Sequence, residues 1–313
     1  MPANDVKHDP GRPLSPGAVA LMLLLCLSWG FNQVAVKLAL PDMPAMTQAT
    51  LRSAGALPVL LLVGWLRRAD FSLRDGTLGP GVLCGILFGI EFALIYQGLR
   101  FTTASRAAVF LYTAPFFVAL GSYPLLGERL RASQWAGLAL SFAGVALAIG
   151  VPQANVDGRV LLGDFMIVGG GALWGATTLI AKGTKLRLAA PEKALAYQVA
   201  ISIPMLAAAA WYFGETLTHM PGPLAIAVVT YQAIWVVGLT FTMWFALVQR
   251  YSASKLSAFS FITPLFGVVA SYFILHEELT LSFGVAALLV VAGLYLVNRP
   301  EKARAKVAPD PNI

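Results

Sequence analysis

The chain carries two copies of one apolar unit. Residues 104–147 align without a gap on 253–296, at a constant offset of 149. Ala104, Ser105, Pro115, Ser122, Glu128 and Gly144 recur as Ala253, Ser254, Pro264, Ser271, Glu277 and Gly293. Earlier in each half, Trp29-Gly30 with Lys37 is matched by Trp174-Gly175 with Lys182 at the same spacing. A duplication constrains the fold more than any single residue does, because each copy must form the same unit and the two must share a buried face.

The medium in which that burial happens follows from composition. Of 313 residues, 58% are hydrophobic and 12% charged, with a mean hydropathy of +0.74. Ten apolar runs stand at 17–38, 45–66, 79–99, 104–124, 133–150, 161–182, 193–213, 224–248, 255–275 and 281–297. Runs of about 18 or more residues cross a hydrocarbon core of about 30 Å as helices. They are continuous rather than alternating, which favours helices over a barrel. The expectation is an all-α integral membrane protein with ten transmembrane helices. The first run is too long for a cleaved signal peptide and has nine successors.

Five spans per copy is an odd number, so the second copy must be inverted. The expected units are a first five-helix repeat at 15–150, a linker at 151–160, a second repeat at 161–298 and a cytoplasmic tail at 299–313. Charge sets the orientation. One side collects Arg67, Arg68, Arg74, Arg129, Arg131, Lys185, Arg187, Lys193 and Arg250, together with both termini. The other holds Arg100, Arg106 and Arg159 in its loops. The positive-inside bias makes both termini cytoplasmic and the chain a multi-pass protein of the inner (cytoplasmic) membrane. It also accounts for the net charge of +7 without nucleic acid. The turn Glu128-Arg129-Leu130-Arg131 becomes Glu277-Glu278-Leu279-Thr280, which loses its arginines as it changes sides.

Two inverted repeats in a bilayer form the layout of an alternating-access transporter. Prolines pair across the repeat, Pro58 with Pro204 and Pro115 with Pro264, and mark candidate hinges. Gly81, Gly85 and Gly89, and Gly171 with Gly175, form ridges for close helix packing. Intramembrane charges are costly and therefore informative. Arg52 lies about 10 Å and Glu91 about 12 Å from the same face at 1.5 Å per residue, on adjacent spans. They are expected to pair, as a fixed structural contact or as one that releases for a solute or a proton. The second copy has Gln198 and Thr240 in their places.

The first span carries a polar stripe of Trp29, Asn32, Gln33 and Lys37 on one helical face. Tyr96, Tyr112, Tyr197, Gln198, Tyr231 and Trp235 complete the candidate pathway. Lys37 and Arg52 favour a solute with a carboxylate, and Glu91 is a candidate proton site. Cys26 and Cys84 lie within spans, and no His, Cys, Asp or Glu spacing fits a metal. No catalytic motif or P-loop is present, so neither an enzyme nor a cofactor is expected.

At these residues the chain resembles a known family. Trp-Gly followed by a lysine eight residues after the tryptophan, the Pro115 segment, and Leu-Gly-Glu at 126–128 with Gly137 and Gly144 resemble the EamA repeat of the drug/metabolite transporter superfamily. The resemblance spans about 15–298 in two units. It implies that spans one to four and six to nine surround a central pathway, with spans five and ten peripheral. It also implies efflux of small metabolites, often amino acids, or of drug-like compounds. Glu128 and Glu277, at hairpin turns, are read as structural. An uncoupled facilitator or channel and, at greater remove, a non-transporting membrane scaffold are the alternatives. Substrate, coupling ion and oligomeric state are not written in the sequence.

Overall fold

A computed structural model describes residues 14–102, 107, 110–149, 157–275 and 281–299, and all the secondary structure among them is helical. The helices are α1 (Pro16–Ala39), α2 (Ala45–Leu66), α3 (Leu78–Phe101), α4 (Ala114–Leu126), α5 (Ala132–Ile149), α6 (Gly158–Gly183), α7 (Pro191–Tyr212), α8 (Pro223–Arg250), α9 (Ala253–Ile274) and α10 (Leu281–Asn298). Among the described residues seven are long and apolar enough to span a membrane, and three apolar helices are shorter. The shorter ones answer to the expected spans at 104–124, 133–150 and 281–297.

Two-fold symmetry is visible in the packing of α5 on α10. A Cβ added at Gly137 would lie 2.6 Å from the Gly293 carbonyl, and one at Gly144 would lie 2.8 Å from the Ala286 carbonyl. Between these contacts Ser141 Oγ donates to the Val290 carbonyl at 3.3 Å. Each contact is its own image or its partner's under the 149-residue offset, as an isologous interface requires. As one residue number rises the other falls, so α5 and α10 run antiparallel. A two-fold axis perpendicular to the helices produces that arrangement, and it inverts the second repeat relative to the first.

The same operation relates α1–α9 to α6–α4. A Cβ at Gly30 would meet Phe266 Cβ at 2.9 Å, and one at Gly175 would meet Phe117 Cβ at 3.0 Å. Only glycine lets these backbones approach so closely. The ridge on α3 acts likewise, with Gly81, Gly85 and Gly89 against Tyr197, Ile201 and Met205 of α7.

Local structure departs from the sequence reading at the breaks. Pro58 and Pro204 lie inside α2 and α7. Pro115 instead occupies the first turn of α4, after a turn at Tyr112-Thr113, and Pro264 opens Thr263–Leu275, after a 3-10 turn at Ser260–Ile262. A first-turn proline has no hydrogen bond to lose, so these two start helices rather than interrupt them. α8 holds a π-helical stretch at Gln232–Phe241 that no proline announces. α6 begins at Gly158, earlier than expected, with Asp157 accepting from Arg159 N at 3.2 Å as its cap. The turn at 276–280 and the tail from 300 lie outside the described residues.

The basic loops meet at one end of the bundle. Arg67 Nη1 lies 2.6 Å from Glu192 Oε1, and Lys193 Nζ lies 2.6 Å from Asp75 Oδ2. Gln249 Nε2 donates to the Leu186 and Ala189 carbonyls, and Ser15 Oγ bonds Tyr251 Oη at 3.0 Å. At the opposite end Asp42 bonds His219 and Gly222 N, and Glu215 caps α2 at Met46 and Thr47.

Candidate substrate site

A central cavity of about 100 Å³ opens between the repeats. That is room for several waters or a small organic group. Trp29 and Asn32 come from α1, Arg52 from α2, and Glu91 and Tyr96 from α3. Trp174, Thr177 and Thr178 come from α6, Gln198 from α7, and Phe241 and Trp244 from α8, with Tyr112 from the break before α4.

Its body is aromatic. The Trp29 ring meets Trp174, Phe241 and Trp244 at centroid distances of 6.2, 5.9 and 5.7 Å, all edge to face. Trp29 Nε1 donates to Thr240 Oγ1 at 2.9 Å, which in turn donates to the Val236 carbonyl. Each buried polar atom in this relay therefore has a partner, and the ring is held in one pose. Tyr112 packs on Trp174 at 6.2 Å.

Its polar wall is different. Arg52 is 1% exposed, and its Nε and Nη2 have no hydrogen-bond partner among the described residues. The guanidinium lies 3.9 Å from the Phe92 ring centroid and 5.8 Å from that of Tyr96. Glu91 is buried on the same wall. Arg52 and Glu91 thus share the cavity, but among the described residues they form no ion pair within 4.0 Å. In place of the expected contact the guanidinium makes a cation–π stack on Phe92. Asn32 Oδ1 and Tyr96 Oη are also buried without a partner among the described residues. Among the described residues a guanidinium, an amide oxygen and a phenol thus line a shared cavity with bonding capacity to spare, beside the Glu91 carboxyl.

Three candidates stand elsewhere. Tyr197 packs over Gly81, and its Oη bonds Thr77 Oγ1 at 3.1 Å. Tyr231 Oη and Trp235 Nε1 bond the Ser28 carbonyl and Ser28 Oγ, both at 3.0 Å, and so fasten α8 to α1. The polar tips of these rings found partners outside the cavity. The side chains of Gln33 and Lys37 lie outside the described set. Sequence reasoning missed Phe92, Phe241 and Trp244 as lining residues. Phe88, Phe92 and Tyr96 do recur every four residues along α3, a signal hidden by the apolar run around them.

The chain and its fold have known counterparts. A model of the EamA-like transporter family matches residues 16–150 and 161–299. A "Probable amino-acid metabolite efflux pump" of Salmonella typhimurium is 30% identical over 292 residues, covering 88% of this chain and 93% of that protein. A protein of the same description from Escherichia coli is 25% identical, covering 88% and 93%. The "Uncharacterized transporter YoaV" of Bacillus subtilis is 25% identical, covering 88% and 94%. Among solved structures, one crystal structure superposes with a TM-score of 0.78 at 20% identity, covering 90% of this chain and 97% of the other. That last likeness is one of fold.

Proposed function

The chain belongs to the EamA-like transporter family, and from that premise we propose that it exports small organic metabolites, amino acids or similar solutes, by alternating access. The protein is a membrane transporter; direction, solute and mechanism are the proposal. The observation that carries it is Arg52, a buried guanidinium with two unpartnered donors on the wall of a cavity between inverted repeats. A buried, unpaired cation is expensive to keep. A solute carboxylate that takes both donors offsets that cost only while it is bound, so the anionic group is selected. The aromatic body of the cavity accepts the apolar remainder. Glu91, on the same wall, is the group for a coupling proton or for a cationic group of the solute. In this reading the termini, and the end that carries Arg67 and Arg250, face the cytoplasm across the inner membrane, an orientation that the positive-inside bias of the loops supports.

The two-fold axis supports the mechanism. It passes between equivalent residues, so exchanging the conformations of the two repeats exposes the same cavity on the other face. Counterflow in proteoliposomes with a panel of labelled amino acids tests the reading against empty vesicles. Uptake of one or a few is expected, and carboxylate-blocked analogues should not compete. Equal competition by those analogues would remove Arg52 from the account.

A further inference from the structure

The two repeat signatures that the cavity leaves unused, Leu-Gly-Glu and the lysine after Trp-Gly, meet at one place. Gly127 ends α4 with φ 71, a left-handed conformation natural to glycine. Gly127 N and Glu128 N bond back to the Tyr123 and Ser122 carbonyls at 3.0 and 3.1 Å, which closes the helix and turns Glu128 inward. Glu128 is 5% exposed. Its Oε1 lies 3.2 Å from Lys182 Nζ. Ser252 Oγ donates to Oε2 at 2.8 Å, and Ala253 N donates to Oε1 at 3.3 Å. Lys182 also donates to the Tyr251 carbonyl. Beside them Ser254 Oγ lies 2.8 Å from Ser122 Oγ. A carboxylate of the first repeat is thus clasped by a lysine and a helix start of the second.

This cluster lies directly beneath the cavity. Thr178 lines the cavity, and Lys182 follows one helical turn later, about 6 Å along α6. In the other direction the lining reaches Val36 and Leu99, near the opposite ends of α1 and α3. The packing between the solute space and the basic end therefore includes a buried ion pair beside the apolar contacts of Val118, Leu126, Leu179 and Ala253.

We propose that the Glu128–Lys182 ion pair is the gate that holds the cavity shut on the basic face and parts when that face opens. The proposal rests on the alternating-access reading. A buried pair is a poor choice for stability alone, since well-packed apolar groups serve as well or better. It suits a contact that must come apart, because both ions regain water on opening whereas an apolar plug would expose its surface. Its bonds also run between the two repeats, the bodies that rock against each other.

The test needs no transported solute, so its failure is distinct from a failure of the transport reading. Thr178→Cys is placed in a chain carrying Cys26→Ala and Cys84→Ala, and inside-out vesicles are treated with an impermeant methanethiosulfonate. Adding Glu128→Gln should raise labelling at position 178 from the basic face at least about tenfold. An unchanged rate would overturn the gate. Because Glu128→Gln risks misfolding, a second protein adds Ser122→Cys and Ser254→Cys, with labelling read peptide by peptide. Oxidation should cross-link that pair and reduce labelling at 178 from this face to background, with recovery on reduction. Persistent labelling in the cross-linked protein, or failure of the pair to cross-link, would overturn the proposal.

Discussion

Trp29 and Trp174 hold the same position in the two repeats and meet edge to face, with ring centroids 6.2 Å apart. Ser141 and Val290, another equivalent pair, also touch. Two equivalent pairs in contact fix the line of the two-fold axis, and one of them stands in the cavity wall. The scaffold obeys this symmetry while the charges do not. Arg52 and Glu91 belong to the first repeat, and Gln198 and Thr240 stand in their places in the second. Inversion and the charges that line the cavity are therefore separate layers of the design, and they should respond to different substitutions.

Arg52→Met should abolish most solute binding and leave the fold intact. A hydrogen bond to a charged group contributes about 1.5–3 kcal/mol, so affinity should fall roughly ten- to a hundredfold. No ion pair is lost among the described residues, and the unfolding temperature should hold or rise. Calorimetric titration and a thermal melt on the same sample separate the two effects.

Trp235→Phe should do the reverse. It removes the hydrogen bond to Ser28, which costs about 1 kcal/mol of stability. Solute affinity should stay within about twofold, because Trp235 does not line the cavity. A large change in affinity would mean that the cavity wall is drawn in the wrong place.

Gly137→Val and Gly144→Val should each destabilise the α5–α10 contact by about 1–3 kcal/mol or more, and by similar amounts, because the two sites are images of each other. Gly79→Ala is a control, since nothing lies within 4 Å of a Cβ there. Thermal unfolding in detergent gives the comparison.

Much of the architecture was legible in the sequence, for reasons visible in particular residues. The offset-149 repeat and the odd span count gave the inverted pair, and the glycine ridges marked the close contacts. The candidate site was legible only in part. Asn32, Arg52, Glu91 and Tyr112 were found because polar atoms in apolar runs stand out. Tyr231 and Trp235 stood out for the same reason, yet their polar tips bond Ser28. Phe92, Phe241 and Trp244 were invisible, since an aromatic ring in a bilayer span looks the same whether it faces lipid, core or cavity. The Arg52–Glu91 distance was out of reach because depth along a helix does not give rotation about it.

Acid should weaken two loop contacts in a definite window. Burial pushes Glu128 upward, but Lys182, Ser252 and Ala253 N outweigh it and hold the carboxyl below its ordinary value of 4.5. Lys193 and Thr77 hold Asp75 below its ordinary 3.8. A depressed carboxylate contributes its full stability above the ordinary value and loses it as pH falls through the lowered one. Stability should therefore decline below about pH 4.5. Glu128→Gln and Asp75→Asn should each start less stable at neutral pH and flatten that decline, as read by melts from pH 7 downward. An unaltered acid limb in both variants would contradict the assignment.

The most direct measurement is counterflow of labelled amino acids by wild-type and Arg52→Met protein in the same vesicle preparation. The account predicts uptake by the wild type and uptake at least about tenfold lower for the variant, at equal amounts of folded protein and a solute concentration below the wild-type KM. Equal uptake by both would show that the guanidinium in the inter-repeat cavity is not where the solute is recognised.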